Sequence, residues 1–331
     1  MKKDKLSIIV VNYNTKELLR ECLYSIIKDV KGISCETIVV DNSSNDGSAE
    51  MVEKYFPDVK LIANDSNLGF AKANNQGIKV SKGNYILLLN SDTVILPNSL
   101  EKLLNFIENH PRVGVVSPAL LNPDLTPQPF IHELPNLWRT FLHFFNFKRL
   151  AVSPQKRHFL AKLLKPIADK NINAYLACYR TRLEPKSVEM VNGTCFLIRK
   201  QVIDQVGLLD EEIFLYCEDA DWCKRIKEAG WDIYFLPNIK IIHYGGESIK
   251  KAFGLVSLAR YKGTLYYYKK HKNKISVLTL RIIAISGLSF KLLSLIIKYL
   301  FSERKNKESI KKSMNLHTEV IHFFLNSNRF T

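Results

Sequence analysis

Short apolar runs alternate with amphipathic segments over the first 90 residues of the chain. Four mostly apolar runs have the length of buried strands: residues 6–12, 36–41, 59–63 and 85–89. Between them, segments 16–28 and 70–79 repeat apolar residues at helical spacing. Strands that alternate regularly with helices form parallel sheets. The pattern therefore predicts an α/β fold with a Rossmann-like, mostly parallel central sheet flanked by helices.

The loops after the first two strands are rich in hydrogen-bond acceptors. Asn12 ends the first strand and Asn14 follows it, and Asp41 ends the second. No Gly-x-Gly-x-x-Gly pattern follows the first strand, and Gly69 and Gly77 are too far apart to supply it. This argues against a dinucleotide-dependent dehydrogenase. The acceptor-rich loops suit a base and a ribose better than a phosphate cradle.

The fourth apolar run ends abruptly in Asn90-Ser-Asp92. Open α/β sheets bind ligands at the carboxyl ends of their strands. A carboxylate with oxygen-bearing neighbours there can hold Mg²⁺ or Mn²⁺, which bind through few protein ligands and the oxygens of a substrate diphosphate. The alternative is an Asp that caps a turn, and an isolated Asn-Ser-Asp favours that alternative. Other motifs of the chain must decide between the two.

The second half of the chain begins irregularly. Residues 138–183 are aromatic and basic without a clear period, which indicates an insertion that shapes a substrate site. Order returns at residues 188–198, where Gly193 permits a close backbone approach. A helical pattern then runs from about Asp219 to Gly230.

Three carboxylates stand at the start of that helix: Glu218, Asp219 and Asp221. Unpaired backbone N–H groups and the helix dipole favour negative charge at this position, so capping is the alternative function of at least one of them. A carboxylate beside a bound sugar acceptor can take the hydroxyl proton during attack, and Asp219 is the candidate for that general base.

His243 follows an apolar strand-like run and precedes Tyr244-Gly-Gly. A lone histidine at a strand end is usually structural. With Asp92 as a candidate ligand, an imidazole followed by a flexible turn becomes a candidate second ligand of the metal.

The basic charge is concentrated at the C-terminus. The net charge is +16, and from Ser248 on there are 17 Lys or Arg residues against three acidic residues, so +14 lies in the last quarter. Residues 275–300 are apolar, yet the longest uncharged piece, 282–290, is far too short to span a bilayer. The basic residues of this segment fall within an arc of roughly 120°. This pattern predicts a helix in a membrane interface, kinked into two pieces at Gly287.

Two alternatives exist for this basic segment. It could pack on the rest of the protein as an ordinary C-terminal helix. A nucleic-acid partner is disfavoured, because the segment has an apolar face and no nucleic-acid-binding motif. The six cysteines show no Cys-x-x-Cys pair, and no apolar signal segment precedes the first strand. We therefore expect a cytoplasmic protein on the inner face of the membrane.

Seven motifs together resemble those of family 2 glycosyltransferases, in the rhamnosyltransferase-like branch. They occur in the family's order over residues 5–250: Ile8-Ile-Val-Val-Asn-Tyr-Asn14, Val39-Val-Asp-Asn-Ser-Ser-x-Asp-Gly-Ser48, Asn67-x-Gly-Phe-Ala71, Leu87-Leu-Leu-Asn-Ser-Asp92, Gly193-Thr-Cys-Phe-Leu-Ile-Arg199, Phe214-x-x-x-Glu-Asp-x-Asp221 and His243-Tyr-Gly-Gly-Glu-Ser248. Asn90 stands where many relatives carry the first Asp of an Asp-x-Asp motif.

The resemblance implies an inverting enzyme of GT-A fold that uses a nucleotide-diphosphate sugar and Mg²⁺ or Mn²⁺. The resemblance also implies roles for single residues. Asp92 and His243 would bind the metal, and Asp219 would be catalytic, with Glu218 beside it. The implied donor-binding residues are Asn12, Asn14, Asp41, Asn67, Gly69 and Asn90. Three segments follow: a nucleotide-sugar half (1–118), an acceptor and catalytic half (119–250, with the insertion) and a basic helical region (251–331).

The expected reaction is sugar transfer to a cell-surface polysaccharide or a lipid-linked glycan, with dTDP-rhamnose as the best donor. Another donor, such as galactofuranose, glucose or an N-acetylhexosamine, is an alternative within the same fold. A catalytically silent scaffold that binds sugar nucleotide at the membrane is the alternative from another class. The acceptor, the linkage and the oligomeric state stay open.

Overall fold

A computed structural model describes residues 5–30, 32–128, 133–145, 184–245 and 253–326. The chain divides into two compact units. The sheet unit comprises Met1–Leu134 and Ala174–Phe253, and the helical unit comprises Pro135–Asn173 and Gly254–Thr331. Most of the predicted insertion at 138–183 lies outside the described residues.

The sheet unit is built on one mixed sheet. Its strands are β1 (Leu6–Asn12), β2 (Cys35–Asp41), β3 (Lys60–Ala63), β4 (Tyr85–Asn90), β5 (Thr93–Ile95), β6 (Val113–Leu121), β7 (Lys186–Ser187), β8 (Cys195–Arg199) and β9 (Asp232–His243). Their order is β3-β2-β1-β4-β8-β6-β9-β5, with β7 paired to β9. Strands β1 to β4 pair in parallel, whereas β8 runs antiparallel to both of its neighbours.

The helices of the sheet unit lie between these strands in the chain. They are α1 (Lys16–Asp29), α2 (Ser48–Tyr55), α3 (Phe70–Val80), α4 (Ser99–Asn109), α6 (Lys200–Val206) and α7 (Glu218–Glu228), while α5 (Leu137–Phe144) belongs to the helical unit. At Gly77 of α3, a Cβ atom would lie 2.5 Å from Cγ2 of Ile9 in β1. The absence of a side chain at Gly77 therefore lets α3 pack closely on the central strand.

The predicted elements of the first 90 residues are confirmed to within one or two residues. The core explains why: alternate positions of β1 and β2, such as Ile8 and Val39, are fully buried together with Leu19 and Leu23 of α1. Only the end of the segment 188–198 forms a strand, because β8 begins at Cys195. The close approach expected at Gly193 is present, because a Cβ there would lie 2.9 Å from the Phe70 ring.

The helical unit contains α5 and three C-terminal helices. These are α8 (Phe253–His271), α9 (Lys274–Leu300) and α10 (Arg304–Asn326). The prediction that a kink at Gly287 divides the helix into two pieces is wrong, because α9 runs through Gly287 as a single helix. A Cβ at Gly287 would lie 2.7 Å from Cβ of Phe144 in α5. The glycine is therefore required for close helix packing.

The prediction that the basic residues of α9 face anionic headgroups is wrong for two of them. Arg281 donates hydrogen bonds to the backbone oxygen of Phe324 at the end of α10, and Lys291 is partly buried over the Phe144 ring. Burial lowers the pKa of Lys291. These two basic residues therefore face neighbouring helices.

The exposed side of α9 is a stripe of large apolar residues. We call it the α9 stripe, and it consists of Ile275, Leu278, Ile282, Phe290, Leu293, Ile296, Ile297 and Leu300. At about 100° per residue, these positions fall within an arc of roughly 120°, so they lie on one side of the helix. By length and composition alone, α9 is long and apolar enough to cross a membrane.

Candidate active site

The carboxyl ends of β1 and β2 are joined by a polar network. The Asn12 side-chain amide donates to Oδ2 of Asp41 at 2.8 Å and to Oγ of Ser44 at 3.1 Å. The other Asp41 oxygen accepts from the Ser44 backbone N–H at 2.8 Å. The hydroxyl of Thr15 then bonds to Asn12 and lies 2.9 Å from the Ser91 hydroxyl after β4. The network connects three strand ends at one edge of the sheet.

Two non-glycine residues in this region have left-handed backbone conformations. Asn14 has φ of 55° and Ser43 has φ of 67°. Asn14 is held there by hydrogen bonds, since its side-chain oxygen accepts from the Asn45 backbone N–H at 2.8 Å and its own N–H donates to Ser44. Such residues cost about 1–3 kcal/mol each and cluster at functional sites. The bend turns the loop after β1 towards the loop after β2.

Asn67 and Gly69 form a tight turn before α3. The Asn67 side chain accepts from the Gly69 N–H at 3.0 Å, and the Asn42 amide donates to the Gly69 carbonyl at 3.1 Å. Gly69 has φ of 83°, and a Cβ there would lie 2.5 Å from the backbone oxygen of Phe214. This oxygen accepts from the Phe70 N–H. Gly69 thus has a packing function that the sequence motif did not reveal.

Asp92 and His243 come together through strand pairing. Thr93 in β5 lies opposite His243 at the end of β9, and the Tyr244 N–H donates to the Asp92 carbonyl at 2.9 Å. As a result, Oδ1 of Asp92 lies 3.3 Å from Nε2 of His243. Both side chains are largely buried, with 12% and 15% of their surface exposed. The two residues proposed as metal ligands are therefore neighbours in space.

The separation of the two side chains suits a divalent cation. Neighbouring ligands of an octahedral ion bound at about 2.1 Å are roughly 3 Å apart, close to the observed 3.3 Å. Within the described residues, no group of three or more His, Cys, Asp or Glu side chains could hold a metal. A cation at Asp92 and His243 would thus keep most of its positions for water and diphosphate oxygens, as Mg²⁺ does in phosphate-binding sites.

Gln128 is a site residue that sequence reasoning missed. Its backbone N–H donates to Leu120 of β6, and its side chain contacts His243 twice. The side-chain amide donates to the His243 carbonyl at 2.5 Å, and Oε1 lies 2.8 Å from Nδ1 of the imidazole. No local pattern marks this residue, because it acquires its place from a turn that returns alongside β6.

Glu218 and Asp219 open α7 directly after two left-handed residues, Tyr216 and Cys217. Burial raises the pKa of the Asp219 carboxyl from 3.8 to about 6, although hydrogen bonds from the Ala220 and Gly193 backbone oppose the rise. Burial, followed by the charge of Asp219, raises the pKa of Glu218 well above its usual value. Perturbed carboxyl groups of this kind are typical of acid–base sites.

Asp221 has a structural function instead. It is fully buried and accepts from Nε and Nη2 of Arg225, each at 2.9 Å. Arg225 also donates to the backbone oxygens of Val206 and Leu208. Asp221 therefore fastens α7 to the end of α6.

The segment Gly193–Thr194 connects Asp219 with the end of β4. The Asn90 N–H donates to the Thr194 carbonyl at 3.0 Å, and the Gly193 N–H bonds to the Asp219 carboxylate. Asn90 takes part here through its backbone: its own carbonyl also accepts from the Thr93 hydroxyl at 2.7 Å. The candidate base thus borders the same edge of the sheet as the candidate metal ligands.

The chain is similar to several known proteins. A model of the family described as Glycosyl transferase family 2 matches residues 7–207. The N-acetylglucosaminyl-diphospho-decaprenol L-rhamnosyltransferase of Mycobacterium tuberculosis is 26% identical over 279 residues, covering 80% of this chain and 84% of that protein. The dTDP-rhamnosyl transferase RfbF of Shigella flexneri is 26% identical over 254 residues, covering 75% of this chain and 71% of that protein.

Solved structures show the same fold. The mannosyltransferase PcManGT from Pyrobaculum calidifontis, in complex with GDP-Man and Mn²⁺, gives a TM-score of 0.55 at 12% identity and covers 99% of this chain and 88% of its own. GalNAc-T7 with UDP, GalNAc and Mn²⁺ gives 0.56 at 14% identity, over 99% of this chain and 57% of its own. The predicted GT-A fold and the resemblance to rhamnosyltransferases are confirmed.

Proposed function

The chain belongs to glycosyl transferase family 2, and on that premise we propose that it is an inverting, metal-dependent transferase that uses dTDP-rhamnose. The acceptor is a growing cell-surface polysaccharide or a lipid-linked glycan. The donor proposal rests on two relatives whose names specify rhamnosyl transfer. The observation that carries the reaction type is the pairing of Asp92 with His243 at the sheet edge that Asp219 also borders.

The donor-binding part of this proposal uses the carboxyl ends of β1, β2 and β4 and the loops after β1, β2 and β3. Asp41 is held by Asn12 and Ser44, each of its oxygens taking one hydrogen bond from them, and a carboxylate oxygen has a further lone pair for a base N–H. Asn14, Asn67, Gly69 and Asn90 complete the set in which we place the nucleotide and the diphosphate. The left-handed backbone at Asn14 supports a binding function for this loop.

Asp219 is the proposed general base. Its carboxylate takes the proton of the attacking hydroxyl as the acceptor oxygen forms a bond to the anomeric carbon. The bond from that carbon to the diphosphate oxygen breaks, and its electron pair leaves with the nucleoside diphosphate. Attack from the face opposite the leaving group inverts the anomeric configuration. A pKa of about 6 leaves Asp219 ionised and still basic at neutral pH.

Asp92 and His243 would hold the Mg²⁺ or Mn²⁺ that offsets the charge developing on the leaving diphosphate. Glu218 lies next to Asp219, and burial, followed by the charge of Asp219, raises its pKa well above the usual value. The raised pKa disfavours a second negative charge beside the base and beside an anionic leaving group. A silent scaffold has no need of a base with a shifted pKa.

The helical unit is proposed to bring the enzyme to a membrane that carries the acceptor. The α9 stripe exposes large residues such as Ile282, Leu293 and Leu300, with exposed fractions of 57%, 55% and 66%. Contiguous apolar surfaces of this kind mark interaction sites. The basic residues of the last quarter would attract anionic headgroups of the inner leaflet. We place the protein on the cytoplasmic side, peripherally, for this reason.

A donor screen tests the proposal directly. Purified protein is mixed with dTDP-rhamnose, UDP-glucose, UDP-galactofuranose or UDP-N-acetylglucosamine, with Mn²⁺, with Mg²⁺ or with EDTA. We expect thermal stabilisation and slow release of nucleoside diphosphate with dTDP-rhamnose in the presence of metal. Stabilisation by a different donor would replace rhamnose in the proposal, and equal results in EDTA would overturn the metal requirement.

The base assignment is tested by Asp219→Asn. Loss of general-base catalysis is expected to reduce kcat by about 10²–10⁴-fold, with donor binding retained. Glu228→Gln is the matched control, because it neutralises an exposed carboxylate on the same helix whose partner is Lys224. Transfer at the unmodified rate by Asp219→Asn would rule out this base.

A further inference from the structure

The Gln128 side chain makes a pair of contacts with one histidine. Its amide nitrogen donates to the His243 backbone oxygen, and Oε1 lies 2.8 Å from the His243 Nδ1. A carbonyl oxygen only accepts hydrogen bonds, so the amide NH₂ group must face it. Oε1 then faces Nδ1 and can only accept. The proton of the neutral imidazole therefore lies on Nδ1.

This tautomer leaves the Nε2 lone pair directed at a carboxylate. Nε2 lies 3.3 Å from Oδ1 of Asp92, and both groups are acceptors when the imidazole is neutral. Two acceptors at that distance repel each other, and either a metal ion between them or a second proton, bound at Nε2, removes the repulsion. A histidine that ligates a metal through one nitrogen usually donates its other N–H to an oxygen, which fixes the ring and raises its basicity.

We propose that Gln128 is a positioning residue that holds His243 in the Nδ1–H tautomer, with Nε2 turned to a divalent cation shared with Asp92. Gln128 itself does not touch the metal. This inference rests on the proposed metal site and adds a residue that none of the seven sequence motifs contains.

The fold explains how one side chain achieves both contacts. Strand β6 pairs with β9, with Leu121 opposite Ile242, so the turn after β6 lies beside the end of β9. Within that turn, Leu125 has φ of 64° and the Asn122 N–H donates to the Thr126 carbonyl at 2.8 Å. After the turn, the Gln128 N–H donates a hydrogen bond to the Leu120 carbonyl at 2.8 Å, which holds residue 128 beside β6.

The test uses the full chain, labelled with ¹⁵N-histidine, and three test variants, in addition to His243→Asn, which serves for signal assignment. Gln128→Met keeps the size of the side chain and removes both hydrogen bonds. Gln128→Glu keeps an acceptor for the Nδ1–H group. Thr126→Val is the matched control, since it weakens the same turn through the Asn122 and Asp124 contacts without touching His243.

Two readouts are independent of sugar transfer. Long-range ¹H–¹⁵N spectra of metal-free protein report the tautomer when they are recorded at a pH at which the imidazole is neutral. The His243 signals are assigned by their loss in His243→Asn. We expect Nδ1–H in the unmodified protein, Thr126→Val and Gln128→Glu, and a shift to Nε2–H in Gln128→Met, where Asp92 remains as acceptor. Binding of Mn²⁺ with inorganic pyrophosphate, followed by electron paramagnetic resonance, should weaken about 10–100-fold in Gln128→Met. It should stay within a few-fold in the other two variants.

Several results would overturn the proposal. One is an Nε2–H tautomer in the unmodified protein, which stands even if Gln128→Met fails to fold. Another is an equal loss of Mn²⁺ affinity in Thr126→Val, which would assign the effect to the turn. A donor screen that shows neither thermal stabilisation nor release of nucleoside diphosphate would overturn the proposed function and leave the tautomer result valid. The two hypotheses can therefore fail separately.

Discussion

Glu218 and Asp219 are adjacent at the start of α7 and lie in different environments. Oε2 of Glu218 is buried without a hydrogen-bond partner among the described residues, whereas Asp219 accepts from the Ala220 N–H at 2.7 Å. Burial raises the pKa of both carboxyl groups. The more exposed and better hydrogen-bonded member of the pair is thus the one that ionises first, and it is the one we assign as base.

The pKa of Asp219 predicts an acid limit for transfer. Because the base must be ionised, kcat/KM should fall about tenfold per pH unit below roughly pH 6. Rates measured at saturating metal over about pH 4.5–8 check this. A profile that is flat across that range would contradict the assignment of Asp219.

The same pKa predicts a pH-dependent stability change in Asp219→Asn. The pKa of Asp219 in the folded protein, about 6, lies above its usual value of 3.8. The contribution of the protonated carboxyl to the free energy of unfolding is therefore fully present below about pH 3.8 and is lost as pH rises through about 6. An asparagine side chain does not ionise, so Asp219→Asn does not show this loss of stability at high pH. Its free energy of unfolding should exceed that of the unmodified protein by at most about 3 kcal/mol near pH 8 and by less than about 1 kcal/mol near pH 4. Urea titrations at both pH values measure the difference, and a difference independent of pH would contradict the prediction.

Asp221 and Arg225 form a buried ion pair, so Asp221→Ala should cost about 3–5 kcal/mol of unfolding free energy. The pair Lys200–Asp204 has the same spacing on α6 but is exposed, with a separation of 3.9 Å. Asp204→Ala should cost less than about 1 kcal/mol. Chemical denaturation of both variants tests the contrast, and similar costs would show that burial does not govern this pair.

Gly69 and Gly207 offer a matched test of crowding. Their backbones are almost the same, with φ/ψ of 83°/176° and 81°/−177°. A Cβ at Gly207 would meet nothing within 4 Å, whereas at Gly69 it would clash with the Phe214 carbonyl. Gly207→Ala should therefore cost only the backbone strain, about 1–3 kcal/mol. Gly69→Ala should cost clearly more and should weaken donor binding; equal costs would remove the steric argument.

The α9 stripe predicts vesicle binding that one double substitution weakens. Leu293→Glu with Ile297→Glu places two charges on the stripe, and partition to vesicles with anionic lipids should fall at least about tenfold. Ile27→Glu is the control, because Ile27 is 50% exposed on α1, outside the stripe. Flotation at low and high salt measures the effect. Failure of the unmodified protein to float with vesicles would remove the membrane proposal.

The first half of the fold was predictable because its signals are local. Strand runs such as residues 6–12 and 85–89 bury nearly every residue, and the helices between them carry their own apolar faces. The orientation of β8 and β5 was not predictable in the same way, since an antiparallel return depends on contacts far along the chain. The basic residues of α9 are a second example. Their position on one side of the helix could be calculated from the sequence, but that two of them face neighbouring helices depends on Phe144 and Phe324, which lie on other helices.

The sequence by itself determined which chemical groups this protein presents: the acceptor-rich strand ends, Asp92, Asp219 and His243, in an order that identifies the family. Only the tertiary structure decided which of them meet. Pairing of β5 with β9 brings Asp92 to His243, and the turn after β6 adds Gln128, which no motif marks. The physical reason is that residue type fixes the chemistry of a side chain, whereas its distance to a partner depends on long-range strand register, which local sequence does not encode.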